Sequence, residues 1–483
     1  MKKIALIPID NRPVCYKLIK QIIGLSKEHQ LFMPDISYMG GLEKNAQINE
    51  ILKWLENLKE IDAAVISLDT VAYGGLIPSR RSNDDLDTIK ERINRLKNIL
   101  EKKSAKIYAF SSIMRISNNN INEEEKLYWN HYGTKIFDYS YNKHKFEINN
   151  SDENLTVLNN SVAKIPEEIL NDYLKTRERN FEINKYYIEL AKQGLFHTLV
   201  FSKDDCGEYG LNIKEAQKLK EYSKDFKNIY IKTGADEIPI TLLSRAIMEG
   251  KHIKISPVYL NPESINKISK YEDITVKESV ESQIELAGGI LSDTKNSDLI
   301  LLVNNFKTQQ GDPVMGCSTQ LFEGCLEIPD KPYFIADIVN ANGADNNFIK
   351  ELFKKDSLKQ FFGYAGWNTT GNTLGSAIAA ALIYFTAKHP DKRGFLNLQL
   401  TRFLDDWAYQ ANVRQVIKDN IDNISDEIVK EKMQSFEEQL FQKFDVKRMK
   451  VNYSFPWNRF FEIEISLHPV YTNIPFIDIL FYE

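Results

Sequence analysis

Thr198-Leu199-Val200-Phe201-Ser202-Lys203-Asp204-Asp205-Cys206-Gly207 is an apolar run that ends in two adjacent carboxylates and a glycine. Residues 198–202 mix β-branched and aromatic side chains without polar alternation. That is the pattern of a strand buried on both faces, as in a parallel sheet. The polar end reads as the loop that leaves it. The same unit recurs at 4–9, 63–68, 107–111, 229–233, 299–304, 333–338 and 361–366. Between the runs lie amphipathic stretches at helical period, among them 84–102, 213–222 and 374–386, so the chain alternates β and α. Eight runs are what a (β/α)8 barrel requires. Two further apolar stretches, 31–33 and 253–259, would suit a series of doubly wound, Rossmann-like domains instead. The barrel is the favoured expectation and the tandem doubly wound arrangement its alternative.

Size agrees with either. The chain has 483 residues, 43 % of them hydrophobic and 27 % charged, which is enough apolar matter for a large core and excludes wholesale disorder. Residues 1–390 read as an α/β catalytic-type core, with insertions at about 118–190 and 250–296. Residues 391–483 read as a C-terminal α+β cap, with helices at 400–418 and 425–444 and strands at 452–454 and 459–466. No internal sequence repeat is visible. The opening MKKIALIPIDNRP has two Lys before an apolar run, but Pro8 and Asp10 cut that run short of a signal core, so it reads as a first strand. No apolar stretch approaches 18 residues, so a soluble, cytoplasmic protein is expected, with no membrane partner.

A formal charge of −5 with no basic stripe argues against nucleic acid as a partner. Four Cys (Cys15, Cys206, Cys317, Cys325) form neither a disulfide framework nor a CxxC pair. The seven His show no HxH or HExxH spacing. No cofactor is therefore expected, although rim Asp residues leave an all-oxygen divalent-cation site open. Only 14 of the 62 basic residues are Arg, so an Arg marks a place where a planar, bidentate donor is wanted.

The polar residues just after each run carry the chemistry. The first run leads to Asp10-Asn11-Arg12 and the second to Asp69 and Tyr73-Gly74-Gly75, then Arg80. Arg115 comes after the third run, Asp204-Asp205 after the fourth and Asp236-Glu237 after the fifth. The run 333–338 ends around Asp337 and continues to Asn340, and the last run leads to Trp367-Asn368 with Asn372. In parallel α/β folds the carboxyl ends of the strands share one rim, where ligands bind. The plainer reading of each residue is a turn or a helix N-cap. Taken together they are expected to line the pocket of a glycosidase for a small-molecule substrate, a small or acidic saccharide, with Arg12, Arg80 and Arg115 holding a carboxylate or hydroxyls. Tyr73 to Arg81 lacks the spacing of a dinucleotide or P-loop site and is read as an anion cradle. Asp204 and Asp205 are the catalytic candidates. Like charges side by side cannot both ionise freely, which leaves an acid beside a base at neutral pH, as glycosidic hydrolysis needs. Cys206 is a poor nucleophile there, because adjacent carboxylates disfavour its thiolate. A non-catalytic or metal-dependent protein binding an anionic metabolite is the alternative.

Asp10–Pro13 (DNRP), residues 67–80 (SLDTVAYGGLIPSR), 234–237 (GADE), 342–345 (NGAD), 366–375 (GWNTTGNTLG), 402–415 (RFLDDWAYQANVRQ) and 455–463 (FPWNRFFEI) resemble the bacterial family known as domain of unknown function 4127. The resemblance runs along the whole chain and implies no particular activity. A fold-level likeness points to retaining hexosaminidases that carry an Asp-Asp pair after the fourth strand of a (β/α)8 barrel, and it is the ground for favouring the barrel. That likeness implies that Asp204 orients a substrate acetamido group and that Asp205 is the general acid.

Overall fold

A computed structural model describes residues 1–355, 358–418, 426–447 and 449–469. Thirteen described strands form: β1 (Lys2–Ile7), β2 (His29–Phe32), β3 (Ala63–Ser67), β4 (Lys106–Ile113), β5 (Thr198–Lys203), β6 (Ile229–Thr233), β7 (Lys254–Tyr259), β8 (Ile290–Leu291), β9 (Leu299–Asn305), β10 (Tyr333–Ile338), β11 (Phe361–Ala365), β12 (Met449–Ser454) and β13 (Glu464–Pro469). All eight expected runs are strands, and 31–33 and 253–259 overlap β2 and β7. The core strands carry Ile, Val, Leu, Ala and Phe on both faces, and β3, β5, β9 and β10 are buried along their whole length. Such strands are stable only when helices cover both sides.

The pairing does not show a closed barrel. One sheet has six strands in the order β2-β1-β3-β4-β5-β6, a second has five in the order β11-β10-β9-β7-β8, and β12 and β13 form an antiparallel pair. The eight expected strands therefore do not share one ring. Five belong to the first sheet and three to the second. Periodicity shows that a strand is buried on both faces and carries nothing about which neighbour it pairs with.

The two larger sheets repeat one topology. In the first, β1 lies between β2 and β3, so the strand order reverses there. In the second, β7 lies between β8 and β9 in the same way. The sequence shows no repeat because only the order of elements recurs.

The chain divides into two compact units. The first is Met1–Asn11, Gln30–Leu242 and Tyr271–Asp273; the second is Arg12–His29, Leu243–Lys270 and Ile274–Glu483. In the first unit, the residues between β4 and β5 form the helices Trp129–Ile148, Asp152–Val162 and Glu167–Lys192. These helices have their own apolar core, in which Trp129, Ile136, Leu158, Leu170 and Tyr173 pack with Met114, Ile116 and Leu211. In the second unit, residues 250–296 supply β7, β8 and the helix Val276–Leu286. Residues 391–483, where described, also belong to this unit. The Ala-rich helix Thr370–Phe385 is buried from Thr370 through Tyr384. The expected helix at 400–418 contains an 11-residue π-helical stretch, Phe403–Val413, between α-helical turns. Among the described residues, no helix is long and apolar enough to cross a membrane.

Candidate functional site

In the first unit the strands β1, β3, β4, β5 and β6 pair in parallel, so their carboxyl ends lie along one edge. Register fixes which side chains meet there. Ile113 at the end of β4 stands opposite Lys203 at the end of β5, and Lys203 stands opposite Thr233 at the end of β6. The loops after β4 and β5 therefore begin side by side.

Arg115 and the Asp204-Asp205 pair occupy those two loops. Arg115 Nη1 lies 3.4 Å from Asp204 Oδ2 and 3.3 Å from Asp205 Oδ2, so the two carboxylate oxygens are at most 6.7 Å apart. Asp205 adopts a φ of +49°. This left-handed backbone is uncommon for a residue with a side chain, and such positions cluster at functional sites. Both carboxyls are shifted upward. Burial is the largest cause for each, and it carries Asp205 up to about 6 with the neighbouring Asp204 charge adding to it. Arg115 opposes the rise in both. Asp205 therefore keeps its proton up to about pH 6, and both side chains stay partly accessible, at 20 % and 29 % exposure.

Arg115 is shared further. Its Nη2 donates to Glu124 at 2.9 Å and its Nε to Glu125 at 3.3 Å. Arg80, fully buried after β3, donates to Glu124 at 3.2 Å and lies 3.4 Å from Glu125. Glu124 and Glu125 sit in the polar excursion and are not among the residues that the sequence singles out. The run Glu123-Glu124-Glu125 looks like a solvated face, and its only local signal is that one stretch carries three acids. Arg80 and Arg115 were expected to hold a substrate anion; here both face protein carboxylates.

The remaining expected residues of this unit have mostly structural partners. Asp69 is buried, accepts from the Ser112 backbone N–H at 2.8 Å and from Ser111 Oγ at 3.3 Å, and is pushed up to about 6 by burial. It ties the turn after β3 to β4. Tyr73 is buried under the Arg179 guanidinium, 5.3 Å from its ring centroid, and is packed rather than open to a ligand. Asp10 is buried, and Asn11 donates its N–H to Gly40 O at 3.0 Å. Asp236 is buried and raises the neighbouring Asp204 carboxyl. Glu237 is a local cap: its carboxylate turns back to accept the Ala235 N–H at 3.0 Å. A Cβ on Gly234 (φ +128°) would overlap that carboxylate, which explains the glycine. Lys203 pairs with Asp273, whose other oxygen accepts from Thr233 Oγ1 at 2.7 Å.

The other expected residues lie in the second unit. Arg12 pairs with Glu462 at 3.5 Å and its guanidinium lies 5.2 Å from the Trp457 ring centroid. Asp337 is wholly buried within β10, accepts from Asn304 Nδ2 (2.9 Å), the Asp345 N–H (2.7 Å) and Tyr364 OH (3.2 Å), and is pushed up to about 8 by burial and by Asp345. Asn340 is buried and fills the space above Gly311. Trp367 is 6 % exposed, with Nε1 bonded to Ser376 Oγ at 2.9 Å, so its ring is packed. Asn368 (φ +51°) uses its carbonyl to accept the Asn342 N–H at 2.8 Å. Asn372 lies in the first turn of the helix that Thr369 caps, and its side chain accepts from Thr369 Oγ1 at 3.0 Å. Among the described residues, no three of His, Cys, Asp and Glu are grouped as a metal ion would require.

The first unit thus carries an acid–base cluster at the carboxyl rim of a parallel α/β sheet, the position at which α/β enzymes bind ligands. The chain belongs to the family described as Protein of unknown function (DUF4127), whose model matches residues 4–466. No curated protein and no solved structure matches it.

Proposed function

We propose that the protein is a hydrolase of a glycosidic bond in a small saccharide, with its acid–base site in the first unit, and that both units are doubly wound. The strand orders support the second part. Each sheet reverses direction once, between β1 and β3 and between β7 and β9, as doubly wound sheets do. The hydrolase reading is carried by one observation: Asp205, raised to about 6, stands beside Asp204 under a single Arg115 nitrogen.

Asp205 is the general acid and Asp204 the positioning carboxylate. An oxygen separation of at most 6.7 Å reaches only the lower edge of the roughly 6.5–9.5 Å at which two carboxylates admit a water between them, as inversion requires. Two side chains from adjacent residues also approach a substrate from one side. Both points favour protonation of the leaving oxygen by one residue while the other holds a substrate group, which is the division of labour in substrate-assisted hydrolysis. The buried guanidinium groups do not favour the alternative of an anion binder, because Arg80 and Arg115 already face four protein carboxylates.

A panel of aryl and alkyl glycosides tests the reading. The protein should cleave at least one member, and Asp205→Asn should lower turnover by about 100-fold or more, the usual contribution of a positioned acid. The loss should be greatest for alkyl leaving groups, which need protonation. Full rates in Asp205→Asn across the panel would sink the assignment.

A further inference from the structure

The helices between β4 and β5 pack around an apolar core, and three members of that core come from the edges of the acid–base cluster. Met114 and Ile116 flank Arg115, and Leu211 closes the loop that begins at Asp204-Asp205. Met114 and Ile116 are thus buried among the helices, while Arg115 between them meets the two carboxylates.

Polar contacts tie the same loops to the same helices. The Gly210 N–H donates to His144 Nδ1 at 3.2 Å and the Leu211 N–H to Ser140 Oγ at 2.8 Å, so helix Trp129–Ile148 holds the far end of the Asp204-Asp205 loop. Burial pushes the His144 pKa down, which favours the neutral ring whose Nδ1 can accept. Arg177, on helix Glu167–Lys192, holds both loops at once. Its Nη2 donates at 2.8 Å to Met114 O, the carbonyl of the peptide bond that leads into Arg115. Its Nε and Nη2 donate to Glu215 at 2.7 and 2.6 Å, on the helix Leu211–Ser223 that follows the Asp204-Asp205 loop. Nη1 donates to Tyr173 OH at 3.1 Å. Arg177 is 2 % exposed, and a planar, bidentate fork of this kind is what a lysine cannot reproduce. A buried ion pair is by itself weak evidence of stability. Here it also fixes the spacing of two loops, and that spacing is what brings Arg115 to Asp204 and Asp205.

We propose that Arg177 is a positioning residue of the acid–base site: by clamping Met114 O and Glu215 it keeps Arg115 beside Asp204 and Asp205, and so governs how tightly Asp205 holds its proton. This role rests on the reading of that pair as the acid–base groups. Asp205 feels Asp204, Arg115, Glu124 and Arg80, and Ser117 Oγ lies 3.5 Å from it; Asp236 acts on Asp204. Among the charged groups, Arg115 and Arg80 favour the ionised carboxyl. Withdrawal of Arg115 therefore lets Asp205 keep its proton to higher pH.

The Asp205 carboxyl is followed by 13C NMR on the full-length protein labelled at its Asp carboxyl carbons, with the resonance assigned by its loss in Asp205→Asn. No substrate is present, so the outcome does not depend on whether a glycoside is cleaved. Arg177→Lys keeps the charge and removes the fork, and the Asp205 midpoint should rise by about one pH unit. Glu215→Gln removes a negative charge, whose direct field would lower the midpoint; loss of the clamp should raise it instead. This variant carries the test if Arg177→Lys does not fold. Leu158→Ala, in the same helical core but on helix Asp152–Val162, should lower the melting temperature without moving the midpoint. A midpoint unchanged in the clamp variants, a fall in Glu215→Gln, or an equal rise in Leu158→Ala would each overturn the proposal. The expected rise in a protein that cleaves no glycoside would uphold the role of Arg177 and remove the hydrolase reading instead.

Discussion

At the scale of single residues, chemistry and packing use the same side chains, and burial separates them. Asp204-Asp205 was legible because two acids end an apolar run. Their partner Arg115 was legible as a scarce Arg at a strand end. Glu124 and Glu125 were not, because they come from a polar excursion whose own composition looks solvated. Asp337 was legible as the one acid near the end of the run 333–338, and β10 has those same bounds; its full burial and its pairing with Asp345 were not legible, because they depend on distant neighbours. Its environment makes a testable difference. The folded carboxyl, near 8, lies above the ordinary value of about 3.9 for an unfolded Asp, so folding takes up a proton between the two. Its contribution to stability is full below about pH 4 and is lost as pH rises towards 8. Asp337→Asn cannot ionise, so the difference between its unfolding free energies at pH 5.5 and 8.5, read from urea titrations, should depart from the parent's by about 3 kcal/mol; an unchanged difference would contradict this. Gly234→Ala should cost at least about 2 kcal/mol, through both the positive φ and the displaced Glu237 cap, and the same denaturation series reads it.

At the scale of elements, the expected strands and most helices form because their signals are local: apolar runs for strands, amphipathic period for helices, and Thr, Ser or Asp at N-caps. The caps of the helices starting at Leu86, Val276 and Thr370 are Asp85, Thr275 and Thr369, each accepting a backbone N–H of the first turn. The π-helical stretch Phe403–Val413 left no such signal, because it depends on distant contacts. Asp406 accepts the Gly366 N–H at 2.8 Å with its side chain and the Ala344 N–H at 2.9 Å with its backbone. Arg402 lies 2.7 Å from Asp405 and 3.1 Å from Asp406. Gly343 (φ +152°) lets the backbone at Ala411 approach to where a Cβ would be 3.0 Å away. Gly343→Ala should therefore loosen this stretch first: hydrogen exchange should rise at residues 403–413 more than in β9 or β10. Uniform exchange across the second unit would show that the contact does not hold the π-helix. π-helical turns are often found at functional sites, and here the stretch carries the buried Asp405-Asp406 pair, with Asp406 pushed up to about 7 chiefly by burial.

At the scale of the molecule, strand count was legible and strand partnership was not. Near-continuous apolar runs announce parallel sheets. Whether they form one ring or two sheets depends on pairings between residues far apart in sequence, which periodicity does not encode. The same holds for unit boundaries. Arg12 comes directly after Asn11 yet belongs to the second unit, where its partner Glu462 lies far along the chain. Because 12–29 contribute to the second unit, a fragment of residues 243–483 lacks the buried helix face of Pro13–Ile23. That fragment should show no cooperative thermal transition by circular dichroism, whereas a sharp transition would mean that the two units are separable in sequence after all.

Proton donation by Asp205 at the rim of the first sheet is tested most directly by a pH–rate profile on a cleaved glycoside. For the parent protein, kcat/KM should decline as pH rises above about 6, where Asp205 loses the proton it must give. In Asp205→Asn that limb should disappear together with most of the rate. A profile whose alkaline limb is the same in both proteins would show that the proton comes from another group.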